Sequence, residues 1–463
     1  MPFRLSVTTG RAAASGHERW AGRRSDALLY AFGALGGLLF GYDTGISGGA
    51  LLFIKGEFGL SPILEGWVVS SLLLGAMLGA AVSGQISDRF GHRWLLLCAG
   101  WLFAVGAIAA AFSPSVESLI VARFVLGVAV GIASSQVPLF LSELAPTAIR
   151  GAVASLNQIM IVFGVFCAYL VSFLLAGSGA WRLMLGIGAV PAILLVVGMW
   201  SQPETPRWLT LHGRITEARA VLARSRPPAE AERELAEIEV ARRRERVSLY
   251  RFLRTRWLRR SLCVAAGLAI FQQIVGINTI VYYSPTILHA MGFTPHGAVL
   301  ASLLLTILPL MVAIFCSQVV DRVGRRPLMM MGALGMAGCM IALSIVFSSD
   351  TLDTPFGKCV SIGAMSVYLI FNSLSWGGLV WVMLPEVLPL KARGAGMGAA
   401  ALLVWLTNFA VSLSFPVLLA LGAGRVFALF AVTALLAFVF ARTQLTETKG
   451  RSLEQIELDA SFL

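Results

Sequence analysis

Apolar residues run along the chain in twelve stretches, near 27–52, 64–87, 94–113, 117–141, 152–176, 181–200, 261–289, 298–320, 327–348, 359–385, 395–420 and 423–441, with short polar segments between them. Each is close to the roughly 20 residues that a helix needs to cross a bilayer core about 30 Å thick. Lipid offers the backbone no hydrogen-bond partner, so each stretch is predicted to be a helix that satisfies its own N–H and C=O groups. The expected fold class is an all-α polytopic membrane protein with twelve transmembrane helices. One long polar interruption, 201–260, splits the helices six and six; it carries 15 arginines and eight glutamates, and Ala229 to Arg246 contains no Gly or Pro. That pattern predicts an amphipathic helical linker. The expected layout is a tail over 1–26, a six-helix half over 27–200, the linker over 201–260, a second half over 261–441 and a tail over 442–463.

Composition agrees with this reading: 57% of the residues are apolar and 13% charged, and the mean hydropathy is +0.81, where soluble domains carry about 25% charged residues. The net charge of +12 follows from topology. Of the 36 Lys and Arg, 31 fall in the tails, the linker and the loops on one side, four (Lys55, Arg182, Lys358, Arg425) on the other, and Arg123 inside a helix. The positive-inside rule then places both termini in the cytoplasm of a multi-pass protein of the cell inner membrane, with no nucleic acid needed to explain the charge. The first 26 residues lack the apolar core and cleavage site of a signal peptide. Six scattered cysteines show no metal-ligand spacing, so neither a metal nor a cofactor is expected.

The chain repeats itself. Ser87-Asp88-Arg89-Phe90-Gly91-His92-Arg93 recurs as Val320-Asp321-Arg322-Val323-Gly324-Arg325-Arg326, offset by 233; Glu143 with Arg150 recurs as Glu386 with Arg393, and Glu204 as Glu447, both offset by 243. Two similar six-helix halves are implied, an arrangement common in transporters, whose substrate site lies near mid-membrane between the halves. The duplicated charges sit at helix ends on the linker side. Asp88, Arg89, Arg93, Glu143, Arg150 and Glu204, with Asp321, Arg322, Arg326, Glu386, Arg393 and Glu447, are read as an inner latch whose pairs bridge helices that separate when that side opens.

An ionisable side chain inside a membrane helix costs at least about 3 kcal/mol, which makes each one a functional candidate. Away from the span ends, Asp43 and Arg123 are the two such residues here. At 1.5 Å per residue, Asp43 lies roughly 24 Å from the inner end of the first span and Arg123 roughly 9 Å from the outer end of the fourth, so their depths allow pairing. Such a pair is either a fixed brace or a proton site whose carboxyl changes protonation as the Arg moves or water enters.

The loops Gly84 to Arg93 and Asp321 to Arg326, with Pro203-Glu204-Thr205-Pro206-Arg207-Trp208, Gln272-Gln273-Ile274-Val275-Gly276-Ile277-Asn278 and Tyr282-Tyr283-Ser284-Pro285, resemble the sugar porter family of the major facilitator superfamily, over about Phe40 to Arg451. The resemblance implies a secondary active transporter that imports a monosaccharide, a hexose such as glucose or galactose or a pentose, in symport with a proton. Its partners would be the sugar, the proton and the lipid bilayer, and the chain would act as a monomer. Proton-coupled members carry an acid at the position of Asp43; the alternative is a facilitative uniporter on the same scaffold. The amides Gln158, Gln272, Gln273, Asn278 and Asn408 can donate to and accept from sugar hydroxyls. The resemblance adds Trp381 and Trp405 as pocket aromatics and Tyr282 and Tyr283 as an outer gate, and Phe40, one turn below Asp43, is placed beside the substrate. Two positions depart from the common hexose pattern: Pro309 and Val404 stand where many members have Asn. No enzyme is expected, since His289 and His296 fall at the outer end of a span or beyond it, no histidine lies deeper in any span, and no GxxxxGK phosphate loop is present.

Overall fold

The computed structural model describes residues 16–146, 149–242, 256–349, 351–352, 354–388 and 393–447, and among them all regular structure is helical. In chain order the helices of the first half are α1 (Gly16–Phe58), α2 (Pro62–Phe90), α3 (His92–Ala111), α4 (Val116–Leu144), α5 (Arg150–Ala176), α6 (Trp181–Gly186) and α7 (Ala189–Trp200). The linker supplies α8 (Pro206–Leu211), α9 (Ile215–Ser225) and α10 (Pro228–Arg242). The second half comprises α11 (Arg256–Ile274), α12 (Ile277–Ala290), α13 (Pro295–Val323), α14 (Arg325–Ser348), α15 (Pro355–Leu374), α16 (Leu379–Val387), α17 (Arg393–Ala420) and α18 (Ala423–Gln444). They make twelve spans long and apolar enough to cross a membrane.

Three predicted single helices are broken. The sixth span divides into α6 and α7 beside Gly186 and Gly188, the seventh into α11 and α12 at Gly276, whose φ is 93°, and the tenth into α15 and α16 at Ser375 to Gly378. Glycine tolerates the positive φ that another residue resists, which is why the seventh span can turn there. Pro309, by contrast, is carried inside α13 without a break.

Within the first half α1 packs on α5, α2 on α4 and α3 on α7; the second half mirrors this with α11 on α17, α13 on α15 and α14 on α18. Glycines allow the closest approach: a Cβ at Gly75 or Gly127 would overlap the carbonyls of Phe124 and Leu72 across the α2–α4 seam, the small-residue packing that membrane helices favour. The halves meet where α2 faces α17, α5 faces α13 and α1 faces α12. The linker has its own small core of Leu209, Ala218, Leu222, Ala231 and Leu235. Arg226 ties it to the bundle, donating to the carbonyls of Leu144 and Ala145 at the end of α4 (3.3 and 3.2 Å) while pairing with Glu234 at 2.5 Å. Those carbonyls have no partner within the helix, and a cation there also suits the helix dipole.

Candidate functional site

Asp43 and Arg123 meet inside the first half. Both are 2% exposed, and Nη2 of Arg123 lies 3.7 Å from Oδ2 of Asp43. That separation is too long for a hydrogen bond. The guanidinium instead donates to Ser47 Oγ at 2.6 Å, and Ser47 donates to the Asp43 carbonyl at 2.6 Å. Asp43 Oδ2 and Arg123 Nε have no hydrogen-bond partner. One turn below, Phe40 packs its ring against Trp405 of the second half, 5.6 Å between centroids.

Across the interface, three amides of the seventh span form a chain. Asn278 donates to Gln273 (2.6 Å), Gln273 donates to Gln272 (3.3 Å), and Gln272 donates to the carbonyls of Trp376 and Gly377 (3.1 and 3.2 Å). The chain joins the break in the seventh span to the break in the tenth. Other carbonyls freed at the first break are answered as well: Tyr368 donates to Val275 at 2.8 Å and Thr433 to Ile274 at 2.9 Å. A buried carbonyl left without such a donor would cost about 1–3 kcal/mol. Gln272 and Gln273 are buried and Asn278 is half-buried, so the chain presents Asn278 as its open end. Asn408 is buried on α17 and accepts from Ser412 at 3.1 Å. Gln158 is half-buried on α5 and stands outside the chain; Trp405 is buried, whereas Trp381 is 40% exposed.

The two tyrosines after Asn278 are enclosed where α12 meets α1 and α17, at the end of the bundle away from the linker. Tyr283 donates to the Ser412 carbonyl at 2.9 Å. The Tyr282 hydroxyl lies beside Thr44 and Asn408 without a hydrogen bond of good geometry. Tyr169 of α5 reaches across the halves to the Val281 carbonyl (2.5 Å) and Ser284 (3.0 Å). That end of the interface is sealed.

The linker end is organised differently. Gly91, at φ 99°, lets the Glu204 carboxylate accept the backbone N–H groups of His92 (3.1 Å) and Arg93 (3.0 Å) as α3 begins; Gly324, at φ 103°, lets Glu447 do the same for Arg325 (3.0 Å) and Arg326 (3.1 Å) at the start of α14. Burial pushes the Glu204 carboxyl up from its ordinary value, opposed by the N–H of Thr205, the charge of His92 and the N–H groups of Arg93 and His92. Arg93 turns its guanidinium onto the carbonyls of Met199 and Trp200, and Arg326 onto that of Arg442. Glu143 lies 3.7 Å from His92 and 3.8 Å from Arg207; Glu386 lies 4.0 Å from Arg325. Among the described residues these pairs each run within one half, where the sequence suggested bridges between separating helices. Asp88 and Arg89 belong to the same loop, Asp88 accepting from Trp208 through its carbonyl and Arg89 lying over the Phe90 ring. The side chains of Arg150, Asp321, Arg322 and Arg393 lie outside the described residues.

Residues 29–460 match the family described as sugar (and other) transporter. The chain belongs to the sugar porters of the major facilitator superfamily. It is 43% identical over 93% of both chains to a protein of Bacillus subtilis named probable metabolite transport protein CsbC, and 41% identical to the D-xylose transporter of Levilactobacillus brevis, covering 94% of this chain and 95% of that one. Among solved structures it resembles the inward open xylose transporter XylE of E. coli, with a TM-score of 0.81, 30% identity and coverage of 93% and 98%; against the proton:xylose symporter XylE bound to 6-bromo-6-deoxy-D-glucose, the score is 0.76 with the same identity and coverage. The family is one of membrane transporters, not enzymes, and its business is sugar transport.

Several residues of the site escape sequence reasoning. Ser47 is one turn from Asp43, so i,i+4 spacing was a usable signal for it. Glu65, in the first turn of α2, is a further buried ionisable group within a span, 2% exposed and paired with Lys55 at 2.7 Å. At a helix start it reads as a solvated end charge, because nothing local shows that α17 covers this turn, bringing the Leu413 carbonyl against Gly66. His92 is visible only when the two repeated loops are set side by side.

Proposed function

We propose that this sugar porter imports a monosaccharide together with a proton by alternating access. The observation that carries the reading is the enclosed Asp43–Arg123 pair, 3.7 Å apart, with a polar atom unpartnered on each side. As a permanent brace such a pair is poor, since two desolvated charges without full hydrogen bonding recover little of their desolvation cost. A carboxyl that takes up and releases a proton as each side opens to water accounts for its presence better. The likeness to XylE, a proton:xylose symporter, supports the coupling.

The amides at Gln272, Gln273, Asn278 and Asn408, with Gln158, Phe40, Trp381 and Trp405, make the substrate site in this reading, because a polyhydroxylated ring needs groups that both donate and accept beside apolar platforms. Val404, 6% exposed, offers no hydrogen bond where many hexose porters have Asn, and the D-xylose relative keeps a pentose beside the hexoses as candidates. Tyr282 and Tyr283 serve as the outer gate, the linker end faces the cytoplasm, and the duplicated charges form a latch across the halves when that end closes.

Proteoliposomes loaded with buffer, given an inward proton gradient and a panel of labelled xylose, arabinose, glucose, galactose and inositol, test the proposal. Wild-type protein should accumulate one of these sugars above equilibrium. Asp43→Asn, a stand-in for the protonated carboxyl, should still exchange sugar across the membrane and fail to concentrate it. Wild-type levels that only equilibrate would leave a uniporter, with Asp43 and Arg123 as a brace.

A further inference from the structure

The repeated loops place different chemistry at one equivalent position. His92 and Arg325 each follow a glycine of positive φ and each opens a helix, α3 or α14. Their surroundings are duplicated: a carboxylate accepts the backbone N–H of each (3.1 Å from Glu204, 3.0 Å from Glu447), and each side chain approaches a glutamate at the linker end of its half (His92 to Glu143, 3.7 Å; Arg325 to Glu386, 4.0 Å). The guanidinium keeps its charge at every physiological pH, whereas an imidazole ordinarily gains or loses one between about pH 5 and 8.

His92 is 5% exposed, and its Nδ1 lies 2.8 Å from the Gln136 side-chain amide, which engages that nitrogen. The ring's Nε2 is left for another partner. It faces Glu143 Oε2, a buried oxygen with no hydrogen-bond partner. The other charged groups around the ring are Glu204 ahead of α8, Arg207 on α8, which approaches the second Glu143 oxygen at 3.8 Å, and Arg93 on α3 itself, whose guanidinium is turned away onto the Met199 and Trp200 carbonyls.

We propose that His92 is a positioning residue of the transport cycle: protonated, it draws Glu143 into the first half's own charge cluster, as Arg325 holds Glu386 permanently, so the pH at the linker end tunes how readily that end closes. The direction rests on the latch reading above, in which Glu143 is otherwise available to bridge the halves. Protonation thus favours the open linker end, and deprotonation releases Glu143 to close it.

The test places spin labels at Phe90→Cys and Val323→Cys, exposed positions at the linker ends of the two halves, in a background without native cysteines, and reads the interlabel distance distribution from pH 5.5 to 8. The ratio of separated to closed populations should fall about three- to fivefold across that range, the scale of one modest ion pair. His92→Arg should hold the low-pH ratio and His92→Gln the high-pH ratio throughout; Glu143→Gln should be flat; and the response should persist in Asp43→Asn, which silences the proposed proton site. A wild-type ratio that does not change, or a response undiminished in both His92 variants, overturns the proposal. No sugar or gradient is involved, so failure of symport in the liposome assay and failure of this switch are separate results.

Discussion

Asn278 and Gln272 occupy opposite ends of one hydrogen-bonded chain, and their positions separate binding from scaffolding. Asn278, the half-buried end, gives one hydrogen bond to Gln273, so Asn278→Ala should weaken sugar binding by about 1–3 kcal/mol, read by calorimetry on purified protein, with little change in thermal stability. Gln272→Ala also strips the donor from the Trp376 and Gly377 carbonyls and should lower both affinity and melting temperature. Equal melting temperatures for the two variants would show that the tenth-span break does not depend on this amide. Lys55→Ala leaves Glu65 enclosed without its cation and should cost about 1–3 kcal/mol, which Lys55→Arg recovers. At this scale, legibility follows depth. Asp43 and Arg123 are readable because charges at mid-span are anomalous in any context, while Glu65 and His92 sit at helix ends, where a charge looks ordinary until a distant helix is known to cover it.

Elements are readable where the solvent dictates them. Lipid leaves a spanning backbone no choice but helix, so twelve apolar runs yield twelve spans. The breaks at 187–188, 275–276 and 375–378 interrupt apolar sequence without interrupting its hydropathy, and only tertiary donors such as Tyr368 and Gln272 make them tolerable. Helix starts at the linker end show the same dependence. Gly91 holds φ 99° and ψ 155°, a region nearly reserved for glycine, and a Cβ there would run into the Glu204 carboxylate that caps α3. Gly91→Ala should therefore cost about 1–3 kcal/mol by thermal unfolding. Gly84→Ala, seven residues earlier in the same loop motif with open space around its Cβ, should be close to neutral. Similar losses for the two would remove the cap argument.

For the whole molecule, alternating access requires the halves to part at one end while touching at the other, and a single glycine of α1 governs the contact away from the linker. Gly48 faces both the Tyr169 hydroxyl and the Tyr282 carbonyl, at 2.5 and 2.7 Å from where its Cβ would stand. The carbonyl belongs to the α12 backbone and cannot rotate away, so any side chain at position 48 pushes α12 off α1. Such a change should cost the sealed arrangement more than the unsealed one, since with α12 withdrawn the added atoms meet only the Tyr169 side chain, which can turn aside. Gly48→Val is thus expected to shift the population toward molecules open at that end. Sugar binding from that side should persist, because Gln272 and Gln273 lie on α11 and Asn278 stays bonded to Gln273 beside the Gly276 break, while net transport falls by an order of magnitude or more. The same variant should also lose the Tyr169 bonds to Val281 and Ser284 that stitch α5 to α12. Reactivity of a cysteine introduced at Ser284, enclosed here at 4% exposure, reads the result directly. It should label faster from outside in Gly48→Val than in its glycine parent, and unchanged labelling with unimpaired transport would mean that the halves close through some contact other than α1 against α12.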